Sequence, residues 1–338
     1  MLFVERALFL KITAAAFFTG GLDVWSPPDA STAATMRVLI SDDRGNEIPQ
    51  LADGDMFTFA NRRWRGAPSI VALPGGKSGV VATVGIDEYL YGVLPIEASP
   101  GWPPGALAAQ SIVARTFALE HRTLSRPYDV AISQRDQRFG GIDAEYPATN
   151  AAVDATRSTV LSFDGAEASV FYAACCGGHT ADAAAIWGHN TLPYLRGVPD
   201  PYCVTAPDYR WERSLPRDRM QAALAGHVSA QITGFDLGPP DSGGRPLCVD
   251  VICGTQRATL SMVDFRNALG TDTVRSTWIR SLRLDPGQLI VDGAGRGHGV
   301  GFCQWGARAM GAAGAGPPDI LAFYFPGTRT ATLGAGAR

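Results

Sequence analysis

The segment GRGHGVGFCQWGARAMG, Gly295 to Gly311, places His298 between glycines and Gln304–Trp305 at the start of a small-residue run of helical character. An imidazole in such a turn can meet a ligand at close backbone approach, and the amides at the start of the following helix are open donors. The glycines can equally serve packing alone. No GK[ST] follows and the dinucleotide spacing is missing, so the turn matches neither phosphate-loop motif. A second candidate is Glu97, in VLPIEASPGW, between an apolar helix and a longer apolar one. Desolvation there would raise a carboxyl pKa and suit a general acid, while the plain alternative is an ordinary loop glutamate. A third group is Cys176, His179 and Cys203, with Cys175 alongside. Two thiolates and an imidazole can hold zinc, but CC-x-x-H is no standard zinc spacing. In an exported chain a Cys176–Cys203 disulfide is at least as good a reading, and free thiols are a third.

Positioning these groups requires helices and turns around them. Asp87 can N-cap a short helix, DEYLYGVL, that stops before Pro95. Pro103 or Pro104 suits the first turn of the next helix, and Ala106 to Leu124 holds no breaker. Apolar or small residues cover most of its faces, which marks a buried central helix. Gln110, Ser111, Arg115 and Arg122 form its narrow polar stripe. Arg115 is open to two readings, a structural ion pair or a contact at the site. Before these helices, from Met36 to Val84, short apolar runs broken by DDRGN, ADGD, NRRWRG and LPGGKSG indicate a β-rich part. Further on, helices are expected at 148–156, 217–225 and 263–269, with strands at 159–163, 168–172, 247–252 and 258–262. Cys248 and Cys253 fall at an odd separation in one strand, on opposite faces.

The chain has 338 residues, 46% of them hydrophobic, enough for a substantial core. Its net charge of −3 and the lack of a basic tract argue against nucleic acid as a partner. At the N-terminus, Arg6 and Lys11 precede an apolar run, Ile12 to Leu22, and then a small-residue stretch at Ser31–Ala34. Residues 1–34 therefore read as a secretory signal peptide, or as an anchor if they stay uncleaved. A membrane contact is expected only in the second case. Residues 35–330 form the folded part, with 36–84 β-rich and 85–330 carrying the site. The common serine-hydrolase, zinc-protease and nucleotide-loop motifs are missing.

Three ordered segments resemble one family. They are DEYLYGVLPIEASPGWPPGALAAQSIVARTFAL, FYAACCGGHTADAAAIWG with PYLRGVPDPYC, and GHGVGFCQWGARAMG. Together they are similar to the motifs of the stage II sporulation protein D and amidase-enhancer (SpoIID/LytB) family, over about residues 36–326. The resemblance implies an α+β fold, β-rich and mixed, with a buried central helix and a long glycan-binding cleft. It implies action on peptidoglycan glycan strands outside the cytoplasm, in the periplasm or cell wall. Sporulation members are lytic transglycosylases, and their catalytic acid/base falls on Glu97. Such an enzyme can work with one carboxylate: it protonates the glycosidic oxygen, then takes the proton of the muramoyl C6 hydroxyl as that oxygen attacks C1. Gln110, Arg115, His298 and Gln304 become expected substrate or carboxylate contacts, with Gly297 and Gly299 letting backbone approach the sugar. No cofactor is required. Some members bind zinc near the second segment, whose frequent histidine is Ala173 here; Ala98 and Arg296 also depart from the pattern. Amidase-enhancer members carry the same motifs, so a non-catalytic glycan-binding partner of a cell-wall amidase is the rival expectation.

Overall fold

The structure of the protein is a computed structural model that describes residues 34–42, 48–52, 54–132, 137–189 and 192–333. The expected leader or anchor, residues 1–34, lies outside the described residues apart from Ala34. No helix among the described residues is long and apolar enough to cross a membrane.

The architecture is α+β, with several small sheets packed on helices. The strand Thr35–Ser41 pairs antiparallel with Lys77–Gly85, which pairs in turn with Ala67–Leu73. Val130–Ala131 joins the other side of the first strand in parallel. A small antiparallel sheet, Gln50–Leu51, Met56–Phe59 and Arg62–Arg65, completes the β-rich N-terminal part. In chain order the helices are α1 (Ile86–Glu97), α2 (Pro104–Glu120), α3 (Pro147–Ala155), α4 (Ala183–Trp187), α5 (Arg217–Ala223), α6 (Met262–Leu269), α7 (Gln304–Ala312) and α8 (Pro317–Tyr324).

Several expected boundaries move. Helix α1 does not begin on an Asp87 cap; Gly85 precedes it, and Asp87 is buried within its first turn. Nor does it stop before Pro95. A proline removes one N–H from the ladder, here close to the helix end, and Ala98 still donates to the Leu94 carbonyl. The extra turn carries Glu97 to the last helical position. Helix α2 ends at Glu120, earlier than Leu124, because the backbone N–H of Thr123 is taken by the Asp129 carboxylate at 2.9 Å.

Every residue of α2 from Ala106 to Leu119 is buried. Leu107, Ala114, Ala118 and Leu119 pack into the core beneath the N-terminal sheet and α1. Ala109, Ile112, Val113 and Phe117 pack into a second core shared with α7, α8 and the cysteine-bearing segments. The helix thus divides two cores, which explains why a narrow polar stripe is all its sequence retains. A third core gathers residues between Trp211 and Val291. It holds one sheet of Trp211–Pro216, Gln288–Gly293 and Ile279–Leu284, and another of Gly234–Leu237, Cys248–Cys253 and Gln256–Ser261. This unit separates Cys203 from the glycine-rich turn in sequence. The chain then returns: Tyr172–Ala173 pairs in parallel with Phe302–Cys303.

Candidate active site around Glu97

Glu97 ends α1 and is half-buried. Its carboxylate accepts from the backbone N–H of Arg138 and from the side-chain amide of Gln304. Burial raises its pKa, and these two donors oppose the rise by favouring the ionised form. The Gln304 amide nitrogen also donates to the Glu97 backbone carbonyl at 3.1 Å. Gln304 is the first residue of α7, and the Phe302–Cys303 bridge delivers it there beside Tyr172. The Tyr172 hydroxyl is buried near Glu97, and desolvation followed by the Glu97 charge pushes its pKa well up. It therefore stays protonated and able to donate. Trp305 follows Gln304 on α7, and this half-buried ring meets that of Trp102, also half-buried, edge-on at 5.8 Å between ring centroids. The guanidinium of Arg308 lies 4.8 Å from the Trp305 ring centre.

Of the expected site residues, the structure brings Glu97 and Gln304 together. Arg115 goes elsewhere. It is fully buried, bonds Asp87 through Nε at 2.9 Å and Nη2 at 2.7 Å, and donates to the carbonyls of Thr159 and Val153. The expectation of a substrate contact there is corrected to the structural ion pair, because no face of the guanidinium reaches solvent. Asp87 is likewise committed, to Arg115 and to Arg157 at 3.2 Å, and does not supply a second carboxylate for chemistry. Gln110 is 1% exposed, so it too is not at a solvent-facing sugar site, and neither of its amide atoms has a hydrogen-bond partner.

His298 is occupied internally. Its Nδ1 accepts from the Val300 backbone N–H at 3.0 Å, and the ring bonds the Tyr172 backbone. Burial, then the charges of Arg266 and Arg245, push its pKa down to about 4 against that backbone bond, so the ring is neutral near pH 7. With Nδ1 accepting, the remaining N–H faces the Tyr172 carbonyl. The ring packs 5.5 Å from Trp187. The glycines beside it are also spent on packing. Gly299 has φ +80°, and a Cβ there would meet the Arg245 guanidinium at 2.5 Å; one on Gly297 would meet Ala173 Cβ at 3.0 Å. The close approach expected toward a sugar is an approach toward protein.

The cysteine group also differs from its expected form. Cys176 and Cys203 are adjacent, with sulfurs 3.5 Å apart, and both are free thiols. His179 is not with them, since its Nδ1 contacts the Thr180 carbonyl at 2.7 Å. Cys303 and Asp200 take its place: the ligand atoms of Cys176, Asp200, Cys203 and Cys303 all lie within 4.8 Å of one another, and all four residues are buried.

Arg138 and Tyr172 are neighbours of Glu97 that the spacing of residues did not single out, and the same holds for the Trp102–Trp305 pair. The two tryptophans had a signal, since each stands within five residues of Glu97 or next to Gln304. Arg138 contributes a backbone N–H, which no side-chain pattern announces.

Residues 75–163, which include Glu97, match the family model described as "Stage II sporulation protein". An uncharacterized protein of Brachyspira hyodysenteriae is 32% identical over 281 residues, covering 81% of this chain and 73% of that protein. Stage II sporulation protein D of Bacillus amyloliquefaciens is 26% identical, covering 73% of this chain and 74% of its own. The amidase enhancer of Bacillus subtilis is 26% identical over 71% of this chain but 40% of its own length. With its three motifs in order and similarity along most of its length, the chain belongs to the stage II sporulation protein D (SpoIID/LytB) family.

Proposed function

We propose that the protein is an exported lytic transglycosylase that cuts MurNAc–GlcNAc glycan strands of peptidoglycan, with Glu97 as its general acid/base. The observation that carries this reading is the environment of Glu97. Its pKa is raised by burial, yet Arg138 N–H and the Gln304 amide hold its carboxylate. A carboxyl pulled in both directions can give up a proton and then receive one, as a single-residue mechanism demands. Protonated Glu97 donates to the glycosidic oxygen as the bond to muramoyl C1 breaks. The resulting carboxylate takes the proton of the C6 hydroxyl while that oxygen bonds C1. The product is a 1,6-anhydromuramoyl end, and no water is consumed. Commitment of Asp87 to Arg115 is compatible with a site that works through one carboxylate. Gln304 orients Glu97, and Tyr172 donates at the site. Trp102 and Trp305 would offer ring surface to sugar faces. The periplasm or cell wall is the compartment where this substrate is met.

A second reading draws on the similarity to the amidase enhancer: a glycan-binding protein that stimulates a cell-wall amidase. Digestion of purified glycan strands, with and without stem peptides, by the wild type and Glu97→Gln separates the two. Anhydromuramoyl ends from the wild type alone, read by mass spectrometry, support the transglycosylase. Intact glycan from both proteins, together with measurable binding, assigns the enhancer role.

A further inference from the structure

The short segment Gln137–Arg138–Phe139 reaches the active site at two points, and the reading of Glu97 uses only one of them. Phe139 anchors it: the ring is buried in the first core, its centroid 5.0 Å from that of Tyr89 and 5.5 Å from that of Trp64. Arg138 gives its backbone N–H to the Glu97 carboxylate. Gln137 is fully buried, and its amide nitrogen donates to the Ala114 carbonyl of α2 at 3.2 Å. The same side chain bonds the Tyr172 hydroxyl. Adjacent residues thus hold the carboxyl and the phenol of the site, and one of them is tied to the central helix.

The direction of the bond between Gln137 and Tyr172 follows from the amide. Its nitrogen carries two hydrogens, and its oxygen only accepts. One hydrogen is committed to Ala114. Burial, then the Glu97 charge, raise the Tyr172 pKa, and the bond from Gln137 opposes them. A donor to the phenol oxygen is what favours the ionised form, so the second hydrogen points at Tyr172. Gln137 Oε1 has no hydrogen-bond partner, which agrees with both contacts running through the nitrogen. The flipped amide would set Oε1 against the Ala114 carbonyl, oxygen to oxygen. A phenol oxygen that accepts from Gln137 keeps its own proton for an acceptor elsewhere. Glu97 is the neighbouring charge that acts on Tyr172 most, and Tyr89 of α1 is a weaker one.

We propose that Gln137 is a positioning residue: its amide turns the Tyr172 proton toward Glu97, where that proton meets the carboxylate as Glu97 gives up its own. Gln137 is buried and acts through Tyr172. In the proposed reaction, the carboxylate left after the glycosidic oxygen is protonated then has three donors, the Arg138 N–H, the Gln304 amide and the Tyr172 hydroxyl. Tyr172 keeps its proton throughout, so the proton balance of the two steps is unchanged. The effect on turnover rests on the transglycosylase reading, whereas the effect on the titration of Glu97 does not.

The experiment is carbon NMR of the full chain with glutamate isotope-labelled at Cδ, the Glu97 signal being identified by its loss in Glu97→Gln. Gln137→Met, Tyr172→Phe and the double variant are titrated beside the wild type. The Arg138 N–H and guanidinium, which also lower the Glu97 pKa, stay in place in all three. Each single variant should raise the Glu97 pKa by about half a unit or more. The double variant should raise it no further than Tyr172→Phe, since Gln137 acts through that hydroxyl. On glycan strands kcat should fall on the order of tenfold in each single variant, with KM little changed. A merely structural Gln137 would lower stability without moving the Glu97 titration. An unmoved Glu97 pKa in folded Gln137→Met, or a double-variant shift equal to the sum of the single ones, overturns the proposal. If Gln137→Met does not fold, Tyr172→Phe decides, because an unmoved Glu97 pKa there shows that the phenol proton is not directed at the carboxylate. A wild type that cleaves no glycan yet shows the expected shifts overturns the transglycosylase reading and leaves the positioning role standing.

Discussion

The side-chain amide of Gln304 donates to the backbone carbonyl of Glu97 at 3.1 Å, across 207 residues of sequence, and to its carboxylate as well. One residue thus fixes both the end of α1 and the ionised form of its terminal carboxyl. Gln304→Ala removes a donor that lowers the Glu97 pKa, so that pKa should rise further. The alkaline limb of the pH–rate profile should move to higher pH, and kcat should fall more than KM rises. A profile that keeps its limb in place would detach Gln304 from Glu97.

Glu97→Gln keeps the size and much of the hydrogen bonding but removes the proton. Glycan cleavage should drop on the order of 10²–10⁴-fold, with an unchanged thermal transition. In the wild type kcat/KM should decline as pH rises through the raised Glu97 pKa, because the acid form is the one that starts the reaction. Turnover by the glutamine variant equal to wild type would remove Glu97 from the chemistry.

Replacing Arg115 by Met tests a core role against a site role. The substitution leaves Asp87 buried with Arg157 as an ion-pair partner at 3.2 Å, on a side chain about half exposed. A cost of about 3 kcal/mol is expected from breaking such a buried pair, read by denaturant unfolding. Glycan affinity of the folded fraction should stay as it was. A loss of affinity without a loss of stability would return Arg115 to the site.

Trp305→Ala should weaken glycan binding by about tenfold, or about 1.4 kcal/mol, and raise KM more than it lowers kcat. Titration calorimetry with peptide-free glycan fragments measures it. Equal affinity for variant and wild type would exclude the ring as a sugar platform.

Glu167 gives a pH signature far from catalysis in sequence. Burial, then the neighbouring Glu120 charge, pushes its pKa from 4.5 to about 7, with Arg122 opposing. The folded state therefore binds a proton that the unfolded state releases earlier. Its contribution to stability is fullest below about pH 4.5 and is lost as pH rises toward and past 7. Glu167→Gln should flatten this fall, raising the melting temperature more at pH 8 than at pH 5. An equal shift at both values would contradict the assignment.

Much of this protein could be read before its structure. Turn chemistry between short apolar runs marked the β-rich start, and α2 showed its burial by carrying apolar residues nearly all round. The three ordered motifs identified the family, and they singled out Glu97 and Gln304. These features rest on near neighbours in the chain: turns, helix periodicity and local spacing act over a few residues. The partners of those residues were decided by packing. Whether Arg115 faced a ligand or Asp87 depended on how α1 and α3 dock on α2. Whether His298 was free depended on the return of the chain beside Tyr172, which uses both ring nitrogens. Pro95 reads locally as a stop, yet the surrounding core sustains α1 for another turn and so carries Glu97 to its place. Cys303 and Asp200, not His179, join Cys176 and Cys203 because Tyr172–Ala173 pairs with Phe302–Cys303. That pairing spans 130 positions, and no periodicity in a single chain encodes which distant strand will be chosen.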